Sequence, residues 1–154
     1  MRLRIPRLSM NDKFVLVDTS FLVAFLDGRD SLHQRAEKLK KRLTGLELIF
    51  TDVIYAETLS VLGRRIRERR KNVSDRKGTF RKIVKNMDEI IGNKLLYITP
   101  IIKEKFSEIK EICLNSGGEL NFNDALLIVG AKEYGIEWIL SFDSDFDKYL
   151  KRIS

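Results

Sequence analysis

The feature that most constrains this chain is a short run with no polar relief. Phe14 to Val17 (FVLV) is apolar at every position and stops at Asp18. A strand with one wet face alternates apolar and polar residues. A strand with none is covered on both faces, as in a parallel sheet packed between helices. Further short runs recur at Leu48–Phe50, Leu95–Ile98 and Ile136–Phe142. Stretches of helical spacing lie between them. The spacing predicts a helix over Ser20–Leu26, closed by Asp27-Gly28, and a second over Asp30–Leu43 with Leu32, Ala36, Leu39 and Leu43 on one face. Thr51 or Asp52 is expected to cap a long helix through Val53, Ala56, Leu59 and Leu62 that dissolves into RRIRERRK. Phe80, Ile83, Val84, Met87 and Ile91 mark another amphipathic helix, and a further one runs from Pro100 to about Ser116, broken by Gly117-Gly118. Asn123 is expected to cap an apolar helix over Ala125–Ala131 that ends near Gly135. A short tail helix or turn and a last edge strand finish the chain. Strands alternating with helices predict an α/β fold, a central parallel sheet with helices on both faces.

A chain of 154 residues leaves room for one domain, and 44% hydrophobic residues supply its core. The expected division is a basic N-terminal arm over 1–13, where Pro6 argues against a continuous helix, and a single domain over 14–154. Cys113 is the only cysteine, so no disulfide can form within the chain. No apolar run approaches the length of a membrane span, and the basic start leads into only FVLV, so it does not read as a signal peptide. A cytoplasmic protein without a membrane partner is expected. The net charge of +7 suits a polyanionic partner.

In a parallel sheet ligands bind outside the carboxyl ends of the strands. Asp18 leaves the first apolar run and Asp143 follows the last. Asp124 opens DALLIVGA, where its same-face neighbours Leu127, Ile128 and Ala131 are apolar. Glu57 lies early in its helix between Val53 and Val61. A carboxylate on a packed face is costly unless it is paired, hydrogen-bonded or bound to a metal. Each acid alone has a plain structural use. Asp18 could cap the following helix, and Asp124 suits the positive end of its own. Glu57 could meet an arginine, and Asp143 could belong to a turn with Asp145 and Asp147. A parallel fold, however, would bring the strand ends and those helix starts to the same rim. Clustered carboxylates repel, and Mg²⁺ or Mn²⁺ relieves the repulsion with all-oxygen ligation.

Other chemistries lack their residues. One histidine, His33, and one cysteine are too few for a zinc site built from those ligands. There is no G-x-S-x-G, no G-x-G-x-x-G after the first strand and no G-x-x-x-x-G-K-[ST]. A phosphatase nucleophile at Asp18 would want a second acid at position 20, which is Ser20. A receiver-type switch would want a phosphoacceptor Asp after the third strand, where the chain reads Thr99-Pro100.

At these residues the sequence resembles the PIN-domain ribonucleases, most closely the toxin subunits of VapBC toxin–antitoxin systems. The resemblance runs through FVLVDTSFLVAFLDGRD with the later His33, FTDVIYAETLSVLGRR, NFNDALLIVGAKEYG and ILSFDSDF, covering about residues 14 to 147. It implies a PIN-like three-layer sandwich with a short, mostly parallel sheet, and a Mg²⁺- or Mn²⁺-dependent endoribonuclease. Carried over residue by residue, Asp18, Glu57, Asp124 and Asp143 are the catalytic, metal-holding acids. Asp145 is a further metal candidate, and we assign it more readily as the cap of the tail segment. Thr19 or Ser20 orients Asp18, and Ser141 is the small polar residue of the last motif. The resemblance also implies a homodimer and an antitoxin partner.

Between Val61 and Lys85 there are eleven Arg or Lys against two acids, denser in base than the simplest family pattern. Arg64, Arg65, Arg67, Arg69, Arg70 and Lys71 are the expected contacts to the RNA backbone; a solvated helix end is the plainer use of the same residues. The functional alternative is a non-catalytic PIN-like RNA-binding or scaffold protein.

Overall fold

The structure, a computed structural model, describes residues 13–154; apart from Lys13, the basic arm lies outside the described residues. Five strands form one sheet: β1 (Phe14–Val17), β2 (Glu47–Thr51), β3 (Leu95–Leu96), β4 (Trp138–Leu140) and β5 (Lys151–Ile153). Their order is β3-β2-β1-β4-β5, and all four pairings are parallel. Val15, Leu16 and Val17 are at most 1% exposed, as a run covered on both faces requires.

Parallel neighbours need crossovers, and helices supply them. α1 (Thr19–Leu26) and α2 (His33–Arg42) join β1 to β2. α3 (Asp52–Arg69) and α4 (Val73–Ile91) join β2 to β3, and α5 (Ile102–Asn115) and α6 (Phe122–Tyr134) join β3 to β4. Right-handed crossovers place α1 to α4 on one face while the chain steps from β1 to β3. They place α5 and α6 on the other when it returns past β1 to β4. The expected three-layer sandwich is thus present, and the reversal of strand order falls between β1 and β4.

Several local readings are corrected. α3 does not dissolve at Arg64 but stays helical to Arg69. Arg76 explains part of this, because its guanidinium donates to the carbonyls of Arg70 and Lys71 and satisfies the helix end. α6 is capped by Asn121, not Asn123, in a reciprocal box with Asp124. The strand read over Leu95–Ile98 keeps only Leu95 and Leu96, since the backbone N–H groups of Ile98 and Thr99 turn to the Asp52 carboxylate. α6 packs so close to the β3 exit that a Cβ on Gly130 would lie 3.2 Å from Ile98 Cγ2. Gly135, at φ +67°, ends the helix in the left-handed conformation.

Candidate active site

The rim at the carboxyl ends of β1 and β4 is built from the backbone outward. Asp18 N–H donates to the Leu140 carbonyl at 3.0 Å, the last rung between the two central strands. The Asp18 carboxylate then caps α1 through Ser20 N–H. Its Oδ2 also accepts from Ser20 Oγ and Ser141 Oγ, each at 2.7 Å. Both hydroxyls work twice. Ser20 Oγ accepts from Phe142 N–H and Ser141 Oγ from Asp143 N–H, each at 3.0 Å. The loop that carries Asp143 is therefore tied directly to Asp18. The carboxylate that caps α1 is thus the same one that ties the exits of β1 and β4 together.

Asp18 is 5% exposed. Burial pushes its carboxyl above the usual range, against the pull of the Ser20 and Ser141 bonds. Its Oδ1 accepts no hydrogen bond among the described residues. Asp124 uses Oδ2 to accept from Asn121 N–H at 3.1 Å, and Asp143 uses Oδ1 to accept from Asp145 N–H at 2.9 Å. Each thus keeps one oxygen without a partner among the described residues. Glu57 is held at both oxygens, by Thr19 Oγ1 at 2.7 Å and Asn123 Nδ2 at 2.8 Å. Thr19 therefore orients Glu57, while Ser20 orients Asp18.

Asp124 reports on the whole group. Half-burial pushes its carboxyl up to about 6; the Asn121 N–H opposes this, and the charges of Asp18, Glu57 and Asp143 add to it. The Asp145 carboxyl is itself raised, mainly by the charge of Asp143. The tail turn at Ser144–Phe146 is capped by Asp143, the reverse of the role expected for Asp145. Among the described residues no three His, Cys, Asp or Glu side chains stand close enough to hold one ion as they are placed. The donor set suits a hard cation nevertheless: it is all carboxylate, and three of its members each carry an unpartnered oxygen.

A cleft of about 370 Å³ opens beside Glu57, lined by Thr19, Ala56, Glu57, Ser60, Val61 and Asn123; Asp18, Asp124 and Asp143 are not in its lining. A larger one of about 720 Å³, lined in part by Ile128, Tyr149 and Arg152, contains none of the four acids. Asn123 was missed as a site residue. Its signal was the second Asn of NFND, which cannot be a cap once Asn121 is.

The basic segment divides. Arg65 Nη1 bonds Asp27 and Asp30 at 2.8 and 2.7 Å, and Arg69 grips Asp27 through both terminal nitrogens at 2.8 and 3.0 Å. Arg64, Arg67, Arg70 and Lys71 are exposed.

The raised carboxyls have a consequence for stability. A native acid with a pKa above its unfolded value binds more protons folded than unfolded, so its stabilising contribution is present at low pH and lost as pH rises through the folded value. For Asp124 that window lies between the ordinary Asp value and about 6. In EDTA, the melting temperature of Asp124→Asn should gain on the parent as pH rises from 4.5 to 7. Thermal melts of both proteins across that range check this; a constant difference would mean that Asp124 does not carry the repulsion.

A PIN-domain family model matches residues 15–151. Ribonuclease VapC6 of Methanocaldococcus jannaschii is 25% identical over 150 residues, covering 90% of this chain and 94% of the relative. Among solved structures, VapC20 of Mycobacterium tuberculosis, described as a sarcin–ricin-loop-cleaving toxin, superposes with a TM-score of 0.66 at 20% identity, over 87% of this chain and 93% of that one. FitAcB of Neisseria gonorrhoeae gives 0.67 at 13% identity, over 91% and 96%. The last two establish likeness of fold.

Proposed function

The chain belongs to the PIN-domain family, and on that premise we propose that it is a metal-dependent endoribonuclease, the toxin of a toxin–antitoxin pair. The observation that carries the reading is the carboxyl of Asp124, half-buried and in the field of Asp18, Glu57 and Asp143 at the switch point of the sheet. Asp18, Asp124 and Asp143, with Glu57 and with Asp145 at the rim, would hold Mg²⁺ or Mn²⁺. A divalent cation there supplies positive charge to the phosphate and acidifies a water.

The rest falls to the chain's own residues. Ser20 and Ser141 fix the orientation of Asp18 and leave Oδ1 available. Thr19 and Asn123 hold Glu57 from two sides, joining α1, α3 and α6 at the cleft wall. No side chain has to act as nucleophile, which suits a site of carboxylates and hydroxyls. Arg64, Arg67, Arg70 and Lys71 draw the polyanion toward an otherwise acidic rim. The ribonuclease named among the relatives makes RNA the substrate of this reading. A second copy of the chain and an antitoxin are its protein partners. No helix among the described residues is long and apolar enough to cross a membrane.

Metal should stabilise the folded state. Mg²⁺ or Mn²⁺ at 100 times its Kd contributes about 2.7 kcal/mol by mass action. For a chain of this size that is a rise of about 5–10 °C in Tm over EDTA. Melts at matched ionic strength, with cleavage of a mixed-sequence RNA in the same buffers, test the reading. Neither a melting shift nor cleavage would leave the non-catalytic RNA-binding or scaffold alternative.

A further inference from the structure

The cleft of about 720 Å³ lies away from the candidate site. It is bounded by the second half of α6, by Ile136 and Glu137 ahead of β4, and by the turn from Asp147 into β5. The four acids stand toward the carboxyl ends of the strands, whereas this cleft opens toward their amino ends.

β5 is the last strand on its side of the sheet among the described residues. Lys151 N–H donates to the Glu137 carbonyl at 2.9 Å, and Ser141 N–H donates to the Ile153 carbonyl at 3.1 Å. Successive residues of a strand turn their backbone groups to opposite sides, so the N–H and carbonyl of Arg152 point outward, away from β4. An open edge of this kind is a template for one more strand. Beside it the cleft has an apolar floor of buried Ile128, Ile136 and Leu150.

Charge decides what can lie there. Lys132, Lys148, Lys151 and Arg152 line the cleft against only Glu137 and Asp147. Both acids are already taken, Glu137 by Lys151 at 3.4 Å and Asp147 by Arg152 at 2.6 Å. Lys148 is exposed and has no acid partner among the described residues. A second copy of this chain, paired edge to edge, would set Lys151 and Arg152 against their own kind, which is unfavourable. Residues 1–12 of the chain itself hold Arg2, Arg4 and Arg7 against Asp12, so they too would bring positive charge to a positive cleft.

We propose that the β5 edge and this cleft receive an extended, acidic segment of another protein, added to the sheet beside β5. Main-chain bonds to Arg152 would hold the segment. Its side chains alternate between two faces, which puts apolar ones on the floor and acids beside the cations. The site leaves the acidic rim open, and the proposal does not depend on the nuclease reading.

The probe is a capped seven-residue peptide of alternating glutamate and valine, added to the full chain in EDTA without RNA. Trp138, the only tryptophan, pairs with Lys151 across β4 and β5, and the Lys151 ammonium lies 5.5 Å from the centre of its ring. A strand added at β5 should therefore change Trp138 fluorescence saturably. The outward N–H of Arg152 should exchange with solvent fast in the free chain and about tenfold or more slowly at saturating peptide. Of two N-methylated peptides, one blocked at its glutamates and one at its valines, one should bind about tenfold more weakly and the other should not, because only one set of N–H groups faces β5. Lys148→Glu should weaken binding roughly fivefold, and Lys40→Glu should not. No saturable fluorescence change up to millimolar peptide overturns the site. Equal binding of the two methylated peptides, or an Arg152 amide that stays fast, overturns strand addition. A peptide with lysine in place of glutamate that binds as tightly overturns the acidic partner. Slow exchange at Arg152 in the free chain overturns it as well: slowing that grows with protein concentration would make a second copy the occupant, and slowing at every concentration would make it residues 1–12.

Discussion

Asp124→Asn should lower RNA cleavage by roughly 100-fold or more, beyond the 10–100-fold that loss of a group behind a metal ligand typically costs. The fold should survive the change. Asn keeps the size of the side chain and an oxygen to accept from Asn121 N–H, so the capping box can remain closed. It removes the charge that Asp18, Glu57 and Asp143 repel, and it removes the desolvation of a half-buried carboxylate. The variant should therefore be at least as stable as the parent in EDTA at neutral pH, and should gain less than the parent from Mn²⁺. The measurement is single-turnover cleavage in Mn²⁺, with circular dichroism and a melt on the same sample. A folded Asn variant that cleaves at the parent's rate would remove Asp124 from the site.

Asp27→Ala should destabilise the fold by about 2–3 kcal/mol, somewhat less than the 3–5 of a fully buried broken pair. Asp27 is buried at the end of α1 and meets Arg65 and Arg69, whose side chains are 31% and 30% exposed. Burial alone would push its carboxyl up. The hydrogen bonds from Arg69 and Arg65 outweigh that and hold it well below the usual carboxylate range. Because its folded value is depressed, its contribution is present above the ordinary Asp value and fades as pH falls below it. Near neutral pH the variant should melt about 5–10 °C lower. The two guanidinium heads can turn to solvent, which limits the loss. Arg67→Gln, on the exposed side of the same helix, should change stability by no more than about 0.5 kcal/mol. Denaturant titrations of both variants make the comparison; equal stabilities would mean that the ion-pair clamp contributes nothing.

These two residues mark how far the chain could be read before its structure. Asp124 was legible because a carboxylate at the head of DALLIVGA breaks an otherwise apolar pattern, and the cost of burying it demands a reason. Asp18 was legible for the same reason after FVLV. The parallel sheet was legible because strands covered on both faces lose their alternation. Asp27 and Asp30 carried no such signal. Beside Gly28 they look like any polar turn, and their partners lie in another helix, 35 to 42 positions along the chain. Arg65 and Arg69 consequently read as free charge together with their neighbours, although they are the two whose positions on α3 face the α1 exit.

The same division runs through the site. Local rules decide which segments become strands and helices, which acids stand at their ends, and that a dense basic stretch follows Val61, because hydrophobic period and capping chemistry act over a few residues. They do not decide which of Thr19 and Ser20 serves which acid, that Asn123 holds Glu57 while Asn121 caps the helix, or that the charge of Asp143 reaches Asp124. Those choices depend on where α1, α3, α6 and the β4 exit come to rest against one another, and that is set by the order of strands in the sheet and the packing of helices on its faces. A hydrogen bond forms only within about 3 Å, a distance that tertiary packing alone establishes between residues so far apart in the chain.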